Sequence, residues 1–287
     1  MDVIENDYLK VLTTPYAAAI HSIYSKKYDR VITLVLQEEK EHTTSPTYSG
    51  NMIFPFAGRI KGALFNGIQL DRNDGENSLH GGFTSRKAVF ERKYQKDTEI
   101  EYGITRSAGE DCLDARREYI ARYSLNGNTI CIDFSMRSEK AVIADMTSHL
   151  YFNLSGEESI RNHELSIEAD KVVINNTDHT AKEIIAVDNT IFDFQKPKKL
   201  KETIESPELA FSCGLNNAFI LSGNSLKLSA GGIKLTGKAD TTAVVVYTGG
   251  YLDNPSSYIA IEFQDIPINS KRTVTKEASR HIEFTIE

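Results

Sequence analysis

An all-β fold, built as a β-sandwich or a barrel, is predicted by three features of this sequence. Short runs in which apolar and polar residues alternate recur along the chain. Turn residues separate them at fairly even spacing, and convincing amphipathic helices are almost absent. That combination is the signature of many short antiparallel strands around one core.

The runs justify themselves in order. Residues 30–37 (RVITLVLQ) are β-branched and apolar. Residues 97–105 (DTEIEYGIT), 118–125 (EYIARYSL) and 129–136 (TICIDFSM) alternate cleanly. Asn126-Gly127 between the last two is a strong hairpin signal. Further candidates are 163–169 (HELSIEA), 225–229 (SLKLS), 232–236 (GIKLT), 242–248 (TAVVVYT) and 257–264 (SYIAIEFQ). Gly231-Gly232 joins the 225–229 and 232–236 runs as a second hairpin. The charged segment QKPKKLKE at 195–202 reads as a solvated loop. No internal repeat, low-complexity tract or Pro/Gly/Ser-rich linker divides the chain, so residues 1–287 are expected to form one domain.

Composition excludes several classes of function. The 287 residues are 40% hydrophobic and 25% charged, as in soluble globular proteins. The 33 basic and 40 acidic side chains leave a formal charge of −7, which argues against nucleic acid or an anionic membrane surface as partner. No apolar run is long enough to cross a bilayer, and the start, MDVIENDYLK, lacks the apolar core of a signal peptide. Three cysteines (Cys112, Cys131, Cys213) without metal-ligand spacing suggest free thiols in a reducing, cytoplasmic setting. Cys131 sits in an alternating run and is expected in the core. Nothing in the sequence indicates an oligomeric state.

Four stretches carry candidate chemistry. Residues 146–156 read MTSHLYFNLSG. With period two, Leu150, Phe152 and Leu154 share one face, and Thr147, His149, Tyr151 and Asn153 the other. A polar strand face usually means one face in water. This one carries no Lys, Glu or Arg, and its composition suits hydrogen bonding to a small neutral ligand, with His149 as proton donor or acceptor. In GNMIFPFAGRI at 50–60, Arg59 ends an apolar run and could aim a fixed fork of donors at substrate oxygens, although a surface arginine is the commoner outcome. In NSLHGG at 77–82, His80 precedes two glycines that allow close approach to the backbone; a simple turn is the blander reading. In SYIAIEFQ, Tyr258, Ala260, Glu262 and Gln264 share a face. Apolar flanks there would desolvate the Glu262 carboxylate and raise its pKa toward useful base strength, whereas an exposed strand face would not.

Together these stretches resemble the aldose 1-epimerase (galactose mutarotase) family, in the family's order, over about residues 50–265. NSLHGG resembles the family's Asn-x-Leu-His-Gly-Gly, and SHLYFNLSG at 148–156 its Asn-His-x-Tyr-Phe-Asn-Leu-x-Gly strand. TIFDF at 190–194, VVYTG at 245–249 and EFQ at 262–264 resemble three further family elements. The resemblance implies a large antiparallel β-sandwich with an open sugar-binding cleft. It implies His149 as general acid and Glu262 as general base. Arg59 and His80 would hold the sugar and polarise its ring oxygen, and Tyr151 and Asn216 would contact it. A small sugar is the implied partner, and no metal or organic cofactor is implied.

That chemistry suits the residue types. Anomers of a pyranose interconvert by ring opening, with a base on the C1 hydroxyl and an acid at the ring oxygen. Each proton transfer is typically worth about 10²–10⁴-fold. Ring opening needs Glu262 ionised and His149 protonated, so ordinary pKa values of about 4.3 and 6.5 predict an optimum between the two titrations.

The chain departs from the family at several positions. Gly58 replaces the Asn of the family's Asn-Arg-Ile, and Pro55 stands where many members carry a further arginine. In GLNNAF at 214–219, Asn216 stands where the family has an aspartate. Val245 replaces a glutamine, and Phe90 stands in place of a common tryptophan. Galactose or glucose is thus only the family default. Two alternatives remain: an epimerase of a phosphorylated hexose, for which Lys61, Arg72 and Arg86 would have to gather at the cleft rim, and a sugar-binding protein without turnover. A purely structural sandwich leaves the agreement of four separated motifs to accident.

Overall fold

Strand pairing follows the alternation seen in the sequence. The computed structural model describes all 287 residues. One 13-stranded sheet contains the main antiparallel path. It runs through Glu91–Lys96, Glu99–Arg106, Arg117–Asn126, Thr129–Ile143, Val274–Ile286, Ile233–Ala239, Asn216–Ala230, Ala243–Tyr247, Ile259–Gln264 and Leu150–Phe152. Glu164–Asn175 branches from this path by pairing with Asn216–Ala230. A second sheet of four strands is made by Asp2–Glu5, Leu9–Thr14, Ala19–Ser25 and Arg30–Val31. The α-helices, Gly82–Arg86 and Leu200–Ile204, have five residues each, and no helix is long and apolar enough to cross a membrane. The predicted large antiparallel β-sandwich is what forms.

Both hairpins lie where the turn residues put them. Asn126 pairs with Thr129 across Gly127-Asn128, and Ala230 pairs with Ile233 across Gly231-Gly232. Both glycines of the second turn have positive φ, as a two-residue type I′ connection requires. In Thr129–Ile143 the alternation becomes burial: Ile130, Ile132, Phe134 and Met136 point inward. One cluster of 60 buried residues, from Ile4 to Ile286, draws on both sheets, so the small sheet shares the core of the large one. Phe152, Phe263 and Phe284 meet within it at centroid distances of 5.0 and 6.0 Å.

Three local expectations are corrected. Of residues 30–37 only Arg30–Val31 form a strand, and Thr33 makes a single bridge to Phe152. The run has strand propensity but finds a partner over only part of its length. QKPKKLKE is more than a loop: Lys198–Lys199 pair with Glu164–Leu165, and buried Leu200 begins the second short helix. Cys131 lies on the outer side of its strand, half-buried opposite Glu283, because the inward positions of that strand are the even-numbered ones. The three cysteines are unpaired.

Candidate active site

Strand register builds the floor of the cleft. Tyr151 pairs with Ala260, Ala260 with Tyr247, and Tyr247 with Asn216. One step along, Glu262 pairs with Val245 and Val245 with Ala218. Continuing the Leu150–Ile261 register by one residue sets His149 beside Glu262. Because side chains alternate with period two, both rows emerge on one face of the sheet. Leu150, Ile259, Ile261 and Phe263 on the opposite face enter the core.

The remaining wall comes from two short irregular segments. Arg59–Ile60 pairs with Ser78–Leu79, which brings Arg59 and His80 over the sheet. His80 has φ 49°, followed by Gly81 at 73° and Gly82 at 79°. A Cβ at Gly81 would collide with the Phe54 carbonyl, so the two glycines are required by the turn as well as permitted in it. All six expected site residues (Arg59, His80, His149, Tyr151, Asn216 and Glu262) line one cleft of about 230 Å³.

The 146–156 stretch divides its polar face. His149 and Tyr151 face the cleft. Asn153 instead clamps a turn: its amide donates to the Glu157 and Ser257 carbonyls and its oxygen accepts from the Ser155 and Gly156 N–H groups. Thr147 is fully buried. Neither face is in water. The same holds for Ile259–Gln264, in which every residue is buried, so the exposed-face reading of that strand is wrong. TIFDF packs rather than binds, with Phe192 and Phe194 against Phe219. Pro55 lies against Gly81, outside the cleft lining.

Sequence reasoning missed several cleft residues. Asp74 accepts from Arg59 Nε at 2.6 Å and orients the guanidinium. Tyr48 sits edge-on to His80 and stacks with His149, at centroid distances of 5.1 and 6.1 Å. Tyr247 and Tyr251 stack at 6.4 Å. Aromatic faces beside polar groups are what a sugar ring needs, but nothing local in the sequence marks these tyrosines as neighbours of a histidine pair.

Glu262 stands between the two imidazoles. Its Oε1 is 3.5 Å from His149 Nε2 and its Oε2 is 4.0 Å from His80 Nε2. Burial raises its pKa to about 8, against the pull of Arg59 and with a further push from buried Asp145. Burial lowers His149 to about 4 and drives His80 well below the usual imidazole range, with His149, Arg59 and Arg272 adding repulsion at His80. Desolvation has thus inverted the order expected from ordinary values. Burial thus favours the pair holding a single proton near neutral pH, and works against placing that proton on the imidazole.

His80, His149 and Glu262 also bring one donor atom each within 4.8 Å of one another, close enough to suggest a metal. Hydrogen bonding decides how His80 is used. Its Nδ1 accepts from the Gly58 N–H at 3.2 Å, so Nε2 carries the ring proton. In that tautomer the cluster presents two lone-pair groups and one N–H donor. Such a set matches a substrate oxygen better than a three-ligand metal site. His149 Nδ1 and Glu262 Oε2 are buried without a protein partner.

Comparison with known proteins bears on the family and the fold. A sequence model of the aldose 1-epimerase family matches residues 3–278. The chain is 26% identical over 267 residues to the galactose mutarotase of Sus scrofa, covering 87% of this chain and 77% of that protein. It is 29% identical over 229 residues to the aldose 1-epimerase of Escherichia coli K12, covering 73% and 66%. Among solved structures it superimposes on an aldose epimerase homologue from C. elegans with a TM-score of 0.91 at 20% identity, covering 99% and 98% of the two chains. Against galactose 1-epimerase from Lactobacillus acidophilus the TM-score is 0.90 at 22% identity, with 99% and 93% covered.

Proposed function

The chain belongs to the aldose 1-epimerase family of carbohydrate isomerases, and from that premise we propose that it interconverts the α and β anomers of a free aldohexose. The observation that carries this reading is the buried Glu262–His149 pair, 3.5 Å apart, with the Arg59 guanidinium and the His80 N–H beside it. Glu262 takes the proton of the C1 hydroxyl while His149 gives one to the ring oxygen. The C–O bond opens, the C1–C2 bond rotates, and closure on the other face reverses both transfers. Arg59 and His80 hold the sugar by donating to its oxygens.

This route requires the shared proton on His149 rather than on Glu262. The two pKa values, about 4 and about 8, set the cost of that isomer at about 5 kcal/mol. Opposite charges 3.5 Å apart attract by about 5 kcal/mol at an effective dielectric of 20. The two effects nearly cancel, the pull of Arg59 on the carboxylate being already contained in the value of about 8. The reactive ion pair is therefore accessible without an outside proton.

A pH prediction follows. The pair is active while it holds one proton, so kcat/KM should be bell-shaped with limbs near about 4 and about 8 that belong to the pair rather than to either residue. In His149→Gln, residual activity needs only ionised Glu262, so it should rise through the carboxyl titration and lose the alkaline fall. An unchanged bell in that variant would remove His149 from the pair.

Charge supports a free sugar over a phosphorylated one. Arg59 is the one cation in the cleft lining, and Asp74 already pairs with it there. Arg72 pairs with Glu76 at the surface, Arg86 lies over Tyr48 and donates to the Thr44 carbonyl, and neither they nor Lys61 line the cleft. A phosphate dianion would meet the Asp74 carboxylate and an arginine already committed to it. Saturation-transfer NMR or polarimetry on galactose, glucose and their 6-phosphates is expected to give higher kcat/KM for the free sugars by about tenfold or more, one uncompensated charge contact being worth about 1.4 kcal/mol. Preference for the phosphates would reverse the assignment. The unpaired cysteines support a cytoplasmic setting.

A further inference from the structure

A second cavity, of about 50 Å³, opens off the cleft beyond Glu262. It shares Arg59, His80, Asn216 and Glu262 with the cleft, so a sugar held there borders it. Its walls beyond Arg59, His80 and Glu262 are mixed. Val245, Ala218, Ala181 and Pro267 are apolar. Gln264, Asn216 and Asn175 are amides, and His179 adds an imidazole.

Gln264 is the informative residue. It is fully buried, two positions beyond Glu262 on the same strand face. Its Nε2 donates to the Asp265 carbonyl at 3.2 Å, while its Oε1 has no partner. A buried acceptor left unpaired is costly and calls for a donor. Gly58, at φ 69°, lines the same cavity beside the Gln264 amide. A Cβ there would lie 3.4 Å from Gln264 Nε2 and 3.3 Å from Pro267 Cβ, so a side chain at this position would crowd the amide and encroach on the cavity.

The walls restrict what the cavity takes. A hydroxyl would supply a donor to Gln264, but it fills about one water's space, of order 10–15 Å³, and leaves the apolar wall uncovered. A deoxy position would leave Gln264 unpaired. No uncommitted cation is present to hold an anionic group. An acylamino group meets each feature: its N–H donates to Gln264 Oε1, its carbonyl accepts from Asn216 Nδ2, and its methyl covers Val245 and Ala218. Glu262 addresses the C1 hydroxyl and Gln264 is its next neighbour on the face, so the substituent belongs on C2.

We propose that this cavity is a specificity subsite for the acylamino group of a 2-acylamino-2-deoxyaldohexose. The proposal rests on the anomer-exchange reading of the cleft, with Gln264 as the residue that sets specificity. The test compares anomer exchange of galactose and glucose with that of their 2-acetamido-2-deoxy counterparts by saturation-transfer NMR. Saturation-transfer difference spectra of the acetyl methyl report binding separately. The expected result is a higher kcat/KM for the acetamido sugars and strong saturation of their methyl group. Gln264→Leu should lower the ratio of acetamido to hydroxy kcat/KM by about tenfold or more, the worth of one buried hydrogen bond left unmade. Val245→Leu, which narrows the cavity without touching a polar group, should lower the same ratio. Exchange of the hydroxy sugars with exclusion of the acetamido sugars would overturn the subsite and leave the proposed function standing. Absence of exchange for every sugar would defeat the functional reading. The methyl saturation, and its loss in Gln264→Leu, would then decide the subsite by itself, an unsaturated methyl overturning it.

Discussion

Glu262→Gln is expected to lower kcat for anomer exchange by about 10²–10⁴-fold in a protein that stays folded. The amide has the shape of the carboxyl but cannot accept the C1 proton. Folding should improve, because the pKa of Glu262 is raised by burial from 4.5 to about 8. Between those values the unfolded chain binds fewer protons at this position than the folded one, so parent stability falls as pH rises through that window. Glutamine has no such penalty. The variant should therefore melt higher than the parent at pH 8, with a smaller margin near pH 4.5, each recovered kcal/mol raising Tm by roughly 2–4 °C. His149→Ala should lose activity to a similar extent, and the double variant should be little worse than either single one, because acid and base act as a unit. Near-parental turnover in either single variant would take that residue out of the mechanism. A lower melting point for Glu262→Gln at pH 8 would show that Glu262 is ionised and stabilised in the folded protein.

Arg280→Met is expected to destabilise the fold by about 3–5 kcal/mol, the usual cost of breaking a buried ion pair from one side. Arg280 lies on Val274–Ile286 and reaches Asp265, the residue that follows the strand carrying Glu262. Its Nη2 donates to Asp145 and Asp265, each at 3.2 Å. Its Nε donates to the Met146 carbonyl at 3.2 Å, and its Nη1 to the Asp240 carbonyl at 3.1 Å. One side chain therefore ties together the ends of several strands. Asp145 is fully buried, and burial together with Asp265 raises its pKa to about 6 even with Arg280 present. Without the arginine it would take up a proton near neutral pH, which limits the loss. Urea denaturation at pH 5 and pH 8 measures this: the deficit should be smaller at pH 5, where protonation of Asp145 is easier. A loss of less than about 1 kcal/mol at both pH values would place the group among ion pairs of no net worth.

Much of the fold could be read locally. Alternation in 129–136 and the two glycine-containing turns depend on neighbouring residues only, and the strands and hairpins there formed as expected. The RVITLVLQ run failed because a strand needs a partner as well as a propensity, and only its first residues met one. Cys131 was misplaced for a related reason: alternation gives two faces without saying which is inside. At the site, His149 and Glu262 stood out by residue type and by family resemblance. Asp74 and Tyr48 did not, since each matters only through a residue distant in sequence.

By itself, then, the sequence determined the β class, the hairpin positions and the family, and it singled out the two residues proposed as acid and base, because periodicity, turn chemistry and motif spacing are properties of contiguous residues. Tertiary structure alone decided that both faces of 259–264 are buried, that Asn153 holds a turn while Tyr151 faces the cleft, and that Arg59 is already paired with Asp74. It also reversed the order of the two titrations, raising Glu262 to about 8 and lowering His149 to about 4. The physical reason is that desolvation and Coulomb energy depend on everything packed around a group, and strands far apart in sequence supply those surroundings.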